Sequence, residues 1–437
     1  MYKLLKFIIK LGIKIFYSEV KIRNRENLQH DGPTIYIANH PNTLIDAWLV
    51  AIVADKPVYF MTKATYFNSK WKMKLLRSLG MIPVNRASES KTKGVNNSQT
   101  FEECYQLLSK GKSLVIFPEG TSLMEFFLRE LKSGTARIAL ESELRNNGKL
   151  NLKVIPIGLN YMQGEKFRSN ILVNCGEGIG VTEYLEEYEV NHSAAAKKLT
   201  EKFRSMLEEV LVAPQTKEQE KLVVDLASAL HSRYLKKINN VESEFELMKK
   251  IRDRIVVLSI EDPKRIELIQ WNNNYLNWKT GLLKIKNDFL DRGLRSVMFI
   301  RQIVFSLVGL LIGFPLFVFG VIHNVIPYLI IDFITPRLTA SKEFFAPLII
   351  ILGLFLYPLT YLLFTLIVCH YFHLDTFWVI CYILSMPILG MFAFGFARYM
   401  QHVSYKLNYI FLIINNKKML LEMKEQRKLL FQLLFED

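Results

Sequence analysis

Apolar and polar residues alternate in the first half of the chain in a way that predicts an α/β domain. Between residues 21 and 160, short apolar or β-branched runs bounded by turn residues alternate with segments of helical spacing. The predicted strands include residues 34–37, 58–61, 113–117 and 152–160. We therefore expect a mixed sheet flanked by helices over residues 21–212, with polar residues at strand ends, where such sheets bind ligands.

The second half of the chain contains longer apolar runs, which predict a helical membrane region over residues 297–400. Three of these runs carry almost no charge and are long enough to cross a bilayer, namely residues 303–322, 345–369 and 377–397. A charged helical connector, residues 213–296, precedes this region. The tail, residues 401–437, has the apolar residues Leu420, Met423, Leu430 and Leu434 among lysines, so it is predicted to be an amphipathic helix.

The distribution of charge argues against three full crossings of the membrane. Three crossings would place the basic tail around Lys417 opposite Arg292, which conflicts with the positive-inside rule. The conflict disappears if residues 303–334 form a re-entrant hairpin, bent near residues 323–327, that returns Lys342 to the starting side. We therefore expect two full spans, with Lys342 and Lys417 on the catalytic side.

The first 17 residues combine a lysine stripe with an otherwise apolar sequence. Lysines recur every three or four residues, at Lys3, Lys6, Lys10 and Lys14. This spacing predicts an N-terminal amphipathic helix over residues 1–20 that lies in the membrane interface. Ordinary packing on the α/β domain is the alternative. A signal peptide is disfavoured because lysines interrupt the apolar run and no small-residue cleavage site follows.

Composition and charge favour a membrane partner. The 437 residues are 50% hydrophobic and carry a net charge of +15, from 56 lysines and arginines against 41 acidic residues. This excess suits either nucleic acid or an anionic phospholipid membrane with phosphate-bearing substrates. No RNP, zinc-finger or helix-turn-helix motif is present, so we expect no nucleic-acid partner. The four cysteines lack metal-ligand spacing, which predicts neither a metal site nor a disulfide framework.

The clearest candidate for chemistry follows the strand predicted at residues 34–37. His40 comes directly after this strand, and Asp46 falls in the first turn of a helix that Asn42 or Thr43 could cap. Six positions would place the two on different faces of a continuous helix, so they meet only if the chain reverses at Pro41. A histidine that contacts a carboxylate has the layout of an activated general base. The alternative is an exposed turn histidine beside a helix-start aspartate.

Polar residues at two other strand ends suit a phosphate-bearing acceptor. Arg86 follows the turn and strand predicted at residues 80–86, and a guanidinium binds phosphate oxygens with two donors. Glu119 could organise a polar acceptor or Arg86 itself, and Gly120 lets the backbone approach a ligand closely. The alternatives are a surface arginine after a strand and a plain strand-to-loop turn.

Four blocks in this order resemble the glycerol-3-phosphate and 1-acylglycerol-3-phosphate acyltransferase superfamily. They are Asn39-His40 with Asp46, residues 80–86, residues 117–121 and residues 154–158. The resemblance extends over roughly residues 20–212. The family's commonest first motif has four residues between histidine and aspartate, whereas this chain has five. The longer spacing resembles that of some glycerol-3-phosphate acyltransferases.

The resemblance implies a function and a set of site residues. His40 is the expected base and Asp46 orients it, while Arg86, Glu119, Gly120 and Thr121 are expected to bind the glycerol-phosphate acceptor. The acyl donor would be a coenzyme A or acyl-carrier-protein thioester, with no separate cofactor and no metal. The implied protein is a multi-pass membrane enzyme of phospholipid biosynthesis with its active site on the cytoplasmic face. Two alternatives stay open: acyl transfer to another lysophospholipid, and a non-enzymatic lipid-binding scaffold.

Overall fold

A computed structural model of the protein describes residues 2–54, 56–85, 97–234, 240–291 and 296–436. The chain divides into two compact units. The first contains Met1–Glu220 with Ser341–Pro347, and the second contains Lys221–Ala340 with Leu348–Asp437. The predicted sheet lies in the first unit, and the long apolar helices lie in the second.

The first unit contains one sheet with helices between its strands. Its strands are β1 (Glu19–Arg23), β2 (Thr34–Ala38), β3 (Val58–Lys63), β4 (Met81–Val84), β5 (Ser113–Ile116), β6 (Lys153–Tyr161), β7 (Asn170–Cys175) and β8 (Ile179–Gly180). Its helices are α1 (Tyr2–Phe16), α2 (Thr43–Val53), α3 (Lys70–Ser78), α4 (Asn97–Ser109), α5 (Gly134–Arg145), α6 (Leu185–Val190) and α7 (His192–Val210). Helix α8 (Lys217–Tyr234) begins in this unit and continues into the second.

The sheet is mixed, as expected, and β2 lies near its middle. The strand order in the described residues is β1-β7-β6-β2-β5-β3-β4, with β8 paired to β6. Strand β2 pairs in parallel with both β5 and β6, whereas β6 and β7 are antiparallel. Because neighbouring parallel strands end at the same edge, the chain segments that follow β2, β5 and β6 lie side by side.

The sequence of β2 explains its central position. All five residues from Thr34 to Ala38 are buried. A continuous apolar run is typical of a parallel strand that is covered on both faces. Burial of Ile35 and Ile37 contributes roughly 1.5–3 kcal/mol each to the stability of the fold. The strand that leads to His40 is therefore firmly fixed in the sheet.

Some elements of the first unit were not predicted from the sequence. Strand β1 reads Glu-Val-Lys-Ile-Arg and lies at the edge of the sheet, so its polar residues reach solvent. Helix α5 begins at Gly134, and just before it the Lys132 amide donates to the carbonyl of Pro118 at 2.8 Å. Strand β7 and helix α7 complete the domain beyond residue 160.

The second unit is helical in its described residues. Its helices are α9 (Val241–Glu261), α10 (Pro263–Leu283), α11 (Ser296–Leu338), α12 (Phe345–Phe372), α13 (Thr376–Asn415) and α14 (Lys417–Phe435). Helices α11, α12 and α13 are long and apolar enough to cross a membrane. Helix α14 is amphipathic and fully buries its four predicted apolar residues, Leu420, Met423, Leu430 and Leu434.

The re-entrant hairpin predicted at residues 303–334 is wrong. Helix α11 runs without interruption from Ser296 to Leu338, with Pro327 inside it. His323 and Asn324 looked like turn residues, but they bind neighbouring helices instead. The His323 Nε2 atom lies 2.7 Å from the Tyr382 hydroxyl, and Asn324 Nδ2 donates to the Met386 carbonyl at 3.1 Å. Polar side chains in apolar helices commonly serve as such interhelical contacts.

Helices α11 and α13 pack closely and run antiparallel. Contacts pair their residues in reverse order, with Gly313 against Phe396, Gly320 against Ala393 and Asn324 against Met386. A Cβ atom at Gly320 would overlap the Leu389 carbonyl, so the close approach requires glycine at this position. Small residues allow the same backbone approach between helices in lipid.

Candidate active site

The end of β2 is locked to β6 just before His40. The Asn39 side chain donates from Nδ2 to the Leu159 carbonyl at 3.0 Å and accepts from the Leu159 amide at 2.8 Å. This pair of bonds satisfies a buried amide side chain and continues the strand pairing by one step. Asn39 belongs to the first motif, but the amino-acid sequence alone did not indicate a role for this residue. Its role in the structure is to fix where the chain leaves the sheet.

His40 and Asp46 meet across the reversal expected at Pro41. The Nδ1 atom of His40 lies 2.9 Å from Asp46 Oδ2, and the Asn42 amide donates to the same oxygen at 2.6 Å. The Asp46 side chain is fully buried, whereas the His40 side chain is 13% exposed. The Phe117 ring stacks on the imidazole at a centroid distance of 4.0 Å. The imidazole is therefore held in one orientation while part of it stays accessible.

The free nitrogen of His40 is the one that a base would use. Within the part of the chain that the structure describes, His40 Nε2 bonds no protein atom, while Nδ1 is engaged by Asp46. An imidazole whose Nδ1–H donates to a carboxylate presents an unprotonated Nε2 to a substrate. The geometry has the form of a general base, and the catalytic role of the pair stays a prediction.

Burial raises the pKa of Asp46 above its ordinary value. Hydrogen bonds from His40, Tyr161 and the Asn42 amide oppose this effect because they stabilise the carboxylate form. Tyr161 was not predicted as a site residue, although it ends the strand beside β2. Its hydroxyl donates to Asp46 Oδ1 at 2.6 Å, so both carboxylate oxygens of Asp46 have donors.

Glu119 follows β5 and supports the backbone of the histidine. Its Oε1 atom accepts from the His40 amide at 3.1 Å, and its Oε2 atom accepts from the Arg129 amide at 3.3 Å. Burial raises the pKa of Glu119, and the two amide donors oppose that shift. Both oxygens thus have protein partners. The expected contact of Glu119 with the acceptor stays a prediction.

Gly120 and Thr121 lie at the same edge of the sheet, beside Glu119. Gly120 is exposed and has a φ of +71°, a left-handed conformation that favours glycine. A Cβ atom there would meet only Lys132 Cγ, at 3.6 Å, so backbone conformation rather than crowding requires the glycine. Thr121 is half-buried. Arg86, the expected phosphate ligand two residues beyond β4, lies outside the described residues.

The start of α2 is capped differently from the expectation. The Asn42 side chain makes no capping bond, and the Thr43 amide donates instead to Ser122 Oγ at 3.0 Å. Thr43 has a φ of +42°, which is strained for a β-branched residue, and its Oγ1 donates to the Glu343 carbonyl at 2.9 Å. Such strain persists where neighbouring contacts enforce it, and it is common at functional sites.

The fold and the site define a class of protein: an α/β domain that carries a histidine–aspartate pair at the ends of parallel strands. Residues 19–160 match a family model described as Acyltransferase. This match confirms the resemblance inferred from the four sequence blocks. Acyl transfer is the chemistry that the family name describes.

Relatives with known names divide between two acceptors. The chain is 29% identical over 160 residues to the chloroplastic 1-acyl-sn-glycerol-3-phosphate acyltransferase LPAT1 of Arabidopsis thaliana, covering 35% of this chain and 40% of that protein. It is 32% identical over 114 residues to glycerol-3-phosphate O-acyltransferase 2 of Saccharomyces cerevisiae, covering 26% of this chain and 15% of that protein. The chain thus spans less than half the length of these relatives.

The chain is also similar to a solved structure. It is the 1-acyl-sn-glycerophosphate (LPA) acyltransferase PlsC of Thermotoga maritima, with 19% sequence identity and a TM-score of 0.31. The aligned part covers 46% of this chain and 79% of that chain.

Proposed function

We propose that the protein transfers a fatty acyl group from an acyl thioester to a hydroxyl of glycerol 3-phosphate or 1-acylglycerol 3-phosphate. The observation that carries this proposal is the His40–Asp46 pair, with Nδ1 held at 2.9 Å and Nε2 bonded to no described protein atom. The Acyltransferase match and the names of the relatives support the same reaction.

The proposed reaction needs no covalent nucleophile from the protein. Nε2 of His40 accepts the proton of the acceptor hydroxyl as its oxygen attacks the thioester carbonyl carbon. The tetrahedral intermediate then collapses, the carbon–sulfur bond breaks, and the proton on Nε2 passes to the leaving thiolate. Asp46 accepts the hydrogen bond from Nδ1–H and stabilises the imidazolium that forms between these steps. The donor is a coenzyme A or carrier-protein thioester, a co-substrate rather than a cofactor.

Stabilisation of the oxyanion is assigned to backbone amides later in α2 than Thr43. The amides of Asn42 and Thr43 already donate to Asp46 and Ser122, and the Ile45 amide donates to the Asn42 carbonyl, so the Leu44 amide is the candidate in this turn. Amides in the first turn of a helix favour negative charge, and the oxyanion of a thioester intermediate carries one.

We assign the acceptor phosphate to Arg86 and the glycerol moiety to Gly120 and Thr121. A guanidinium keeps its charge and matches phosphate geometry. The exposed Gly120 backbone offers a close approach to the glycerol moiety. The acceptor is either glycerol 3-phosphate or its 1-acyl form, because the relatives are named for both.

The proposal includes contact with a phospholipid membrane. Helix α1 exposes an apolar stripe on which Phe7 is 64%, Leu11 44% and Ile15 47% exposed, beside exposed Lys10 and Lys14. An exposed apolar stripe flanked by lysines suits the interface of an anionic bilayer. The three long apolar helices support membrane association. We assign the active site to the cytoplasmic face, where acyl thioesters of coenzyme A and carrier protein would be available.

A direct assay tests the proposal. The purified protein in anionic vesicles is given a radiolabelled acyl thioester with glycerol 3-phosphate, its 1-acyl form or a different lysophospholipid. We expect acyl-ester formation with one of the first two acceptors. Transfer only to the third would support the alternative substrate, and no transfer to any acceptor would support a non-enzymatic lipid-binding scaffold.

A further inference from the structure

Two buried tyrosine hydroxyls support Asp46, one by a direct hydrogen bond and one through Asn42. Tyr161, the last residue of β6, donates to Asp46 Oδ1 at 2.6 Å. The other oxygen, Oδ2, faces His40 Nδ1 and the Asn42 amide. Tyr161 therefore determines which oxygen is left to orient the imidazole.

The second hydroxyl belongs to Tyr17, which directly follows α1. Tyr17 donates to the Gly164 carbonyl at 2.8 Å and accepts from Asn42 Nδ2 at 2.9 Å. Asn42 in turn donates its backbone amide to Asp46. The rings of Tyr17 and Tyr161 lie 6.0 Å apart. A continuous hydrogen-bonded path thus leads from the end of the N-terminal helix to the aspartate.

Packing alone does not explain these hydroxyls. Both side chains are buried and phenylalanine would fill the same space, so what distinguishes tyrosine here is that its hydroxyl satisfies buried polar partners. A hydroxyl beside a fully buried carboxylate has a specific effect, because it stabilises the ionised form against burial. Burial and the charge of Asp46 raise the pKa of Tyr161 well above 10, so this hydroxyl stays protonated and continues to donate.

We propose that Tyr161 is a positioning residue for the His40–Asp46 base, and that Tyr17 extends this support through Asn42 to the N-terminal helix. This inference rests on the proposed function of His40. Tyr161 holds Asp46 ionised with Oδ2 toward the imidazole, and Tyr17 holds the Asn42 turn in place. Neither hydroxyl touches the reacting atoms.

The first test is the kinetics of Tyr161→Phe. A hydrogen bond to a charged acceptor is lost, so kcat should fall about 10- to 100-fold, while KM for donor and acceptor should change by less than about 3-fold. Tyr188→Phe is the matched control, because the Tyr188 hydroxyl also contacts a carboxylate oxygen, Glu141 Oε2, at 3.3 Å. It should retain wild-type kinetics. Tyr17→Phe removes hydrogen bonds between neutral groups, so kcat should fall by only about 2- to 10-fold.

The pH profile provides a readout that a packing role would not change. The groups that face Asp46 are His40, Tyr161, Tyr17 and Glu119. Removing the Tyr161 donor destabilises the ionised carboxylate, so the pair takes up a proton more readily. The acidic limb of the pH–activity profile should therefore lie at a higher pH in Tyr161→Phe than in the wild type.

A double-mutant cycle decides whether Tyr161 acts through Asp46. In the Asp46→Asn background, Tyr161→Phe should cause no further loss of kcat. The same fold-loss in both backgrounds, or wild-type kinetics and pH profile in Tyr161→Phe, would overturn the inference. Circular dichroism of each variant controls for folding. A wild-type protein inactive with every acceptor would instead contradict the proposed function, so the two failures are distinguishable.

Discussion

Replacing Glu119 by glutamine should weaken both the fold and the catalytic base. In the structure, the two carboxylate oxygens accept from the amides of His40 and Arg129. Glutamine keeps one oxygen that can accept from one of these amides, but its NH₂ group faces the other amide. One charge-assisted hydrogen bond is therefore replaced by two N–H donors that point at each other. The lost bond contributes roughly 1.5–3 kcal/mol, partly offset because a neutral amide is easier to bury than a carboxylate. We expect the free energy of unfolding to fall by about 1–2 kcal/mol.

The same substitution separates two roles for Glu119. If Glu119 holds the His40 backbone, its loss displaces the imidazole and lowers kcat, and a displacement of about 1 Å can cost about 100-fold. If Glu119 mainly binds the acceptor, KM for the acceptor rises instead. We expect a fall in kcat with acceptor KM within about 3-fold of wild type.

Steady-state kinetics of Glu119→Gln give kcat and the acceptor KM, and chemical denaturation gives the free energy of unfolding. Glu103→Gln is a suitable control, because Glu103 forms a solvent-accessible ion pair with Arg77, and such pairs contribute about 0–1 kcal/mol. A large rise in acceptor KM at unchanged stability would show that this account of Glu119 is wrong.

Three further variants test other parts of the account. Arg86→Ala should raise the KM for a phosphate-bearing acceptor by about 10-fold or more and leave donor KM unchanged; equal losses with a phosphate-free acceptor would indicate a structural role. Phe7→Glu with Leu11→Glu should lower activity on membrane-embedded acceptor more than on a soluble short-chain analogue, whereas Val190→Glu, at another exposed apolar residue, should not. Gly320→Leu should lower the melting temperature in detergent because it separates α11 from α13, whereas Gly395→Leu meets open space; equal melting temperatures would contradict this packing.

Local patterns in the sequence were sufficient to predict the contact between His40 and Asp46. His40 and Asp46 are six residues apart, so one turn at Pro41 brings them together. Their spacing in the sequence therefore indicates the contact. Tyr161 lies 115 residues from Asp46, and their contact exists only because β6 pairs with β2. Glu119 was predicted to contact the acceptor or Arg86, whereas its contact with the His40 backbone depends on the pairing of β5 with β2 and has no local sequence signal.

The membrane region shows the limit of local interpretation most clearly. Pro327 with the polar pair His323 and Asn324 resembles a turn, and charge placement favoured a bend there. The structure instead provides those polar groups with partners on other helices, including the hydroxyl of Tyr361, which donates to Asn324 Oδ1 at 2.6 Å. Interhelical bonds of this kind have no local sequence signature, because each partner lies dozens of residues away.

The rate of acyl transfer by His40→Ala, measured beside the wild type with the preferred acceptor, tests the proposed base. General-base catalysis typically contributes about 10²- to 10⁴-fold, so kcat should fall by at least about 100-fold. His40 is a partly exposed turn residue, and the melting temperature should therefore stay close to that of the wild type. A folded His40→Ala protein with turnover within a few fold of the wild type would contradict the mechanism.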